Sequence, residues 1–301
     1  MYLFTGLRIF DPQRNISPYF FMSLAFLFPG QGSQSVGMGA EIFARYPDLV
    51  EEADQTLGYY LSAICLEDIG GQLGNTEFTQ PALYLVSFLE AKAKIEDGQT
   101  PAFAAGHSVG EFAALAVAGC MSFADGLKMV SQRGQIMAQV SGGGMTAVIG
   151  LGSDPIRATL SEIGSTEVDL ANFNSPGQIV ISGPAQQIEA SLAPLKEAGA
   201  RMVVPLKVSG AFHSRMMEEP ARNYSRFLEG ITFSEPAFPV YSNVEAKPYP
   251  GGNAIAALLT RQIHSPVRWT ELITQMRSDG ADEFVECGPG KVLTKLLKQI
   301  P

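Results

Sequence analysis

Cysteine, histidine, tryptophan and net positive charge are all scarce in this chain, and no long apolar run is present. Only three cysteines, Cys65, Cys120 and Cys287, occur in 301 residues. Their odd count and lack of CxxC spacing exclude a disulfide framework and a cysteine-based zinc site. They read as buried, reduced thiols, and a cytoplasmic location is expected. A net charge of −9 removes the basis for non-specific nucleic-acid binding. The apolar stretch Tyr19 to Phe28 is too short to span a bilayer and runs into Pro29-Gly30. No membrane partner is expected. Residues 1–21 carry Arg8, Asp11 and Arg14 without the basic-then-apolar order of a signal peptide. They read as an extension outside the fold, with Met22 as an alternative start.

What is present describes a globular protein. A hydrophobic fraction of 46% with 17% charged residues is enough to bury a large core, as one big domain or two modest ones. Apolar runs alternate with helical patterns. A strand is expected at Leu24–Phe28, helical pieces through 40–69, a long helix at Pro81–Glu96, a strand at 101–105 and helices from Val109 to about Val140. That alternation predicts a parallel sheet with helices on both faces. Between Met145 and Leu206 the order becomes βαββαβ, with Asn174-Ser175-Pro176-Gly177 as the turn between the adjacent strands. This is a ferredoxin-like unit. We therefore expect a large α/β domain from 22–143 and 208–301, with an inserted ferredoxin-like subdomain at 144–207. Within the C-terminal part, helices are expected at Ser214–Glu229, 254–263 and Trp269–Ser278, and a strand at Glu283–Cys287.

The chemistry-bearing stretch is Gly106-His107-Ser108-Val109-Gly110, between an apolar run and an alanine-rich one. A serine on a strand-to-helix turn projects its hydroxyl at a helix start, where unpaired amides can stabilise an oxyanion. Serine needs a base. His107 is a poor one because neighbours on a turn diverge. His213 opens a helix within a small-residue loop, and His264 precedes Ser265-Pro266. The residues alone leave both open, with His213 ahead. The loop Phe28-Pro29-Gly30-Gln31-Gly32-Ser33-Gln34 follows the first strand. Without G-x-G-x-x-G spacing or a P-loop lysine, it suits donation of an amide better than a nucleotide-phosphate cradle.

Taken together, that loop, Gly106 to Glu111, Gly210-Ala211-Phe212-His213-Ser214, Gln80-Pro81-Ala82, Asn174 to Gln178, Asn243-Val244 and Glu286 to Gly290 closely resemble the malonyl-CoA:acyl carrier protein transacylase family. The likeness runs from about Ser23 to the C-terminus. It implies a hydrolase-like α/β domain with a ferredoxin-like insert, and malonyl transfer from CoA to a carrier-protein thiol. In this resemblance Ser108 is the acylated nucleophile and His213 the base. The amides of Gln31 and Val109 form the oxyanion hole, and a backbone carbonyl at Gln262 orients the histidine in place of an acidic third member. Arg133 is implied to hold the malonyl carboxylate, and Phe212 to crowd an α-methyl branch. No metal or resident cofactor is implied, and a monomer is expected. Two rival readings are a thioester hydrolase on the same fold, which tends to lack the arginine, and a non-catalytic carrier-binding scaffold. The stretch Asn75 to Tyr84 resembles members serving polyketide synthesis, although fatty acid synthesis uses the same site. An acidic carrier would need a local basic patch, with Arg201, Lys207, Arg215 and the surroundings of Lys295 as candidates.

Overall fold

The computed structural model describes residues 23–208 and 210–301. The N-terminal extension, the alternative start at Met22, and Ser209 of the His213 loop lie outside the described residues. In chain order the elements begin with β1 (Leu24–Phe28), α1 (Ala40–Arg45), α2 (Pro47–Leu57), α3 (Leu61–Leu66) and α4 (Thr76–Glu96). Then follow β2 (Phe103–Gly106), α5 (Gly110–Val117), α6 (Phe123–Ala138), β3 (Gly143–Ile149) and α7 (Ser153–Glu162). Next come β4 (Asp169–Ser175), β5 (Gln178–Pro184), α8 (Ala185–Glu197), β6 (Met202–Pro205) and α9 (Glu218–Leu228). The chain closes with β7 (Val240–Tyr241), α10 (Ile255–His264), α11 (Trp269–Ser278), β8 (Glu283–Glu286) and α12 (Val292–Leu297).

The first sheet is parallel, in the order β7-β2-β1-β8. Its central strand reads LAFLF without a polar residue because both faces are covered. Alternation then sorts the side chains. Phe26 and Phe28 enter the core shared with α4, α5 and α6. Ala25 and Leu27 enter a second core with Trp269, Leu272, Ile273 and Leu293. The second sheet is antiparallel, in the order β4-β5-β3-β6, which is the ferredoxin-like arrangement. One face packs Val148 and Ile181 on α7 and α8. The other turns Met145, Ala147 and Val180 toward the main core. That inward face makes the small sheet a wall of the cleft above β1 and β2.

The expected helix at Pro81–Glu96 begins five residues earlier, at Thr76. Proline forfeits one intrahelical bond, yet the preceding turn is secured independently. Asn75 O accepts from the amides of Phe78 and Thr79 at 2.9 and 2.8 Å, and Thr79 Oγ1 donates to Leu73 O at 2.6 Å. Thr76, Thr79 and Gln80 are buried there, so packing overrides the local signal.

The turn from β2 into α5 has no room for side chains at its glycines. A Cβ on Gly106 would lie 1.9 Å from the Gly110 carbonyl carbon, and one on Gly110 would lie 2.1 Å from Phe28 O. Both contacts are with backbone, so β1 and α5 would have to separate. We expect Gly110→Ala to lower stability by about 3 kcal/mol, the upper range for overpacking. Chemical denaturation checks this; a midpoint unchanged from wild type would contradict the close approach.

Candidate active site

Ser108 sits on that turn at φ 52°, in the left-handed region that non-glycine residues rarely adopt. Asn243, just after β7, holds it there by accepting from Ser108 N at 2.7 Å and donating through Nδ2 to Gly106 O at 2.6 Å. His213 is also left-handed, at φ 58°. Its amide donates to Ile263 O at 3.2 Å, which ties its loop to the end of α10. Two strained residues thus face one another, each fixed by another part of the chain.

Ser108 Oγ lies 2.8 Å from His213 Nε2. On the far side of the ring, Nδ1 faces Gln262 O at 2.8 Å and Ser265 O at 3.2 Å. Carbonyl oxygens only accept, so Nδ1 carries the proton and the lone pair of Nε2 points at the serine hydroxyl. No carboxylate hydrogen-bonds His213 among the described residues. Burial first, then the positive charge of Arg133, pushes the imidazole pKa down to about 3, against 6.5 for an ordinary histidine. His213 is therefore a neutral acceptor throughout the physiological range.

The sign of the pH dependence follows. Protonation of Nε2 would remove the acceptor facing the serine hydroxyl, so any reaction that needs it would be lost only as pH falls through the lowered value. We expect kcat/KM for acyl transfer to stay flat down to about pH 5. A one-proton loss centred near 6.5 would contradict the burial account.

Arg133 projects from α6 and is 1% exposed. Nη1 donates to Gln80 Oε1 at 2.7 Å, and Nη2 donates to Gln262 Oε1 at 2.8 Å and Ser108 Oγ at 3.2 Å. Nε has no partner, and no described carboxylate forms an ion pair with the guanidinium. Burial lowers its pKa to about 10, so it stays charged at neutral pH. A desolvated cation without a directly paired anion is costly, and this one lies beside the serine hydroxyl. The cavity above it measures about 80 Å³ and is lined by Gln31, Ser108, Val109, Met145, Phe212 and His213, among others. The amides of Gln31 and Val109 donate to no acceptor among the described residues, so both are free to meet an oxyanion.

His107 turns away from the serine, with Nε2 2.8 Å from Asn174 Oδ1 on β4 and the ring 5.4 Å from that of Trp269. His264 ends α10 and does not line the cavity. Three residues quoted only within motifs in the sequence analysis, without an assigned role, sit beneath the site. Gln80 seats the arginine, Asn243 clamps the serine turn, and Glu111 is wholly buried on α5. Burial raises the Glu111 carboxyl to about 7, against donors Tyr249, Gln262 and Asn243 that favour its charge. One signal was available: Glu111 is the lone charge in the apolar run GEFAALAV, and such a charge needs partners. Among the described residues no group of three or more His, Cys, Asp or Glu could hold a metal ion. No helix there is long and apolar enough to cross a membrane.

The chain is similar in sequence and fold to known proteins. Polyketide biosynthesis protein ThaF of Burkholderia thailandensis is 46% identical over 92% of the chain, and PksE of Bacillus subtilis is 43% identical over the same share. The chain spans only 24% and 36% of those two relatives. It spans 96% of the malonyl CoA-acyl carrier protein transacylase PksC of Bacillus subtilis, at 44% identity. Among solved structures, a malonyl CoA-acyl carrier protein transacylase from Burkholderia pseudomallei matches at TM-score 0.90 and 44% identity, covering 93% of this chain and 98% of that one. A type II polyketide acyl-carrier protein bound to its malonyl-transacylase matches at 0.88 and 39% identity, covering 92% and 93%. The fold is thus the hydrolase-like α/β core with a ferredoxin-like subdomain. The acyl transferase domain family matches residues 25–300, and the chain belongs to that family.

Proposed function

We propose that this protein moves malonyl from CoA to the phosphopantetheine thiol of an acyl carrier protein, supplying fatty acid or polyketide synthesis. One observation carries the choice of acyl group. A buried guanidinium that has no ion-pair partner among the described residues lies 3.2 Å from Ser108 Oγ. An acyl group bearing its own carboxylate would complete that pair while its carbonyl meets the serine. Acetyl would leave the cation as it was. PksC and the transacylases of solved structure, named for the same transfer, support the reading. The carrier-bound relative supports the partner.

In the forward half-reaction the thioester carbonyl faces the amides of Gln31 and Val109. His213 Nε2 takes the Ser108 proton as Oγ attacks, and the carbonyl electrons move onto oxygen. The tetrahedral intermediate collapses by breaking the carbon–sulfur bond, and His213 returns the proton to the departing CoA thiolate. The second half-reaction runs this in reverse with the carrier thiol: its proton goes to His213, its sulfur attacks the ester, and Ser108 leaves and is reprotonated. Arg133 holds the malonyl carboxylate throughout. Phe212, 5% exposed at the cavity wall, limits space beside the α-carbon.

For carrier docking, Arg201 and Lys207 are exposed at either end of β6, and Lys207 follows Leu206, which lines the cavity. Arg215 is committed to Asp169 at 2.5 Å and is less available. Incubation with malonyl-CoA and holo carrier protein tests the function. Malonyl-carrier product is expected in excess over free malonate. Rapid release of free acid without transfer would favour a hydrolase instead.

A further inference from the structure

Glu111 lies on the first turn of α5, 0% exposed, and three donors converge on its carboxylate. Its Oε2 accepts from Gln262 Nε2 at 2.7 Å and from the Asn243 amide at 3.1 Å, while Oε1 accepts from the Tyr249 hydroxyl. Two of these donors continue to the nucleophile. Asn243 grips Ser108 N at 2.7 Å and Gly106 O at 2.6 Å through its side chain. Gln262 Nε2 also donates to Ser108 O, at 3.0 Å. Both backbone polar groups of the strained serine are therefore held by the side chains of Asn243 and Gln262, and the Asn243 backbone N–H and the Gln262 side-chain amide meet at one carboxylate oxygen.

The polarity of this arrangement is fixed from its two ends. A carbonyl oxygen only accepts and a guanidinium only donates. The Gln262 amide, set between Ser108 O and Arg133, must turn NH2 to the first, and with it to Glu111 Oε2, and oxygen to the second. No exchange of its ends would satisfy both neighbours.

We propose that Glu111 is a positioning residue for Ser108, holding the serine in its left-handed conformation through Asn243 and Gln262. It touches no reacting atom. Without it the two clamps lose their common anchor, and Oγ departs from the line between His213 Nε2 and the thioester carbon. The inference rests on Ser108 being the nucleophile.

Glu111→Gln keeps the volume and one acceptor oxygen, but it turns the other into a donor and removes the negative charge. Single-turnover acylation, normalised to folded protein, should slow about 30- to 100-fold, the cost of a small displacement at a reacting centre. Half-saturation by malonyl-CoA should stay within about threefold, because Arg133 is still seated on Gln80. Tyr249→Phe, which removes only the donor to Oε1, should acylate within about threefold of wild type. A merely structural role would lower the melting temperature and the folded fraction but leave the normalised rate alone. A folded Glu111→Gln protein acylating at the wild-type rate would overturn the proposal, as would a loss confined to half-saturation. If Glu111→Gln does not fold, Asn243→Ala removes one clamp directly and should show the same slow acylation; wild-type acylation by it would also overturn the proposal. A Ser108→Ala control separates the two failures. Adduct persisting there defeats the nucleophile assignment, whereas its absence alongside normal Glu111→Gln kinetics defeats only the positioning role.

Discussion

Ser108→Ala is expected to leave no acyl adduct and no measurable malonyl transfer. The substitution removes the one hydroxyl that lies 2.8 Å from His213 Nε2. In serine enzymes built on the same logic, losing the nucleophile costs about a millionfold in kcat, so a fall of at least about ten-thousandfold is a conservative expectation here. The change should do little to the fold. Alanine has the same Cβ as serine, and the turn is set by Gly106, Gly110 and the Asn243 clamp rather than by Oγ. A melting temperature within a few degrees of wild type would accompany the loss of activity. Intact-mass measurement after exposure to malonyl-CoA checks the adduct, and a carrier-protein assay checks transfer. Substantial remaining adduct would show that another residue is acylated.

Arg133→Ala should redirect the proposed acyl transfer rather than silence it. The serine, its base and both free amides remain, but the cation that would pair with the malonyl carboxylate is gone. Breaking one side of a buried charge pair costs about 2–5 kcal/mol, which corresponds to a fall of about 30- to 5,000-fold in kcat/KM for malonyl-CoA. Acetyl-CoA has no carboxylate to lose, so its relative use should rise by a similar factor. The vacated space exposes Gln80 Oε1 and Gln262 Oε1, both of which water entering through the cavity can satisfy. Comparing kcat/KM for the two acyl-CoAs in wild type and variant gives the answer. Malonyl preference that survives the change would place the carboxylate elsewhere.

Much of the architecture was legible in the chain. LAFLF announced a strand buried on both faces, the βαββαβ order announced the small subdomain, and the pattern from Trp269 to Ser278 announced α11 at its observed ends. Boundaries failed where tertiary packing opposed local chemistry, as at Pro81 inside α4. The serine turn was visible because its constraint is local. Choosing between His213 and His264 was not possible from the residues alone, since orientation of the imidazole depends on two carbonyls about fifty residues away. The layer beneath the site was harder still. Glu111 meets Asn243, Tyr249 and Gln262 across 132 to 151 residues of chain, and no spacing rule connects such positions. Only its isolation in an apolar helix hinted at a partner.

If Ser108 carries malonyl because Arg133 holds the other end of it, the preference for malonyl is set in the first half-reaction. Peptide mapping of the wild-type protein, quenched in acid after brief exposure to equal malonyl-CoA and acetyl-CoA without carrier protein, tests this directly. The account predicts a malonyl ester on the peptide containing Ser108, in large excess over acetyl. Comparable acetyl labelling, or malonyl on any other residue, would contradict it.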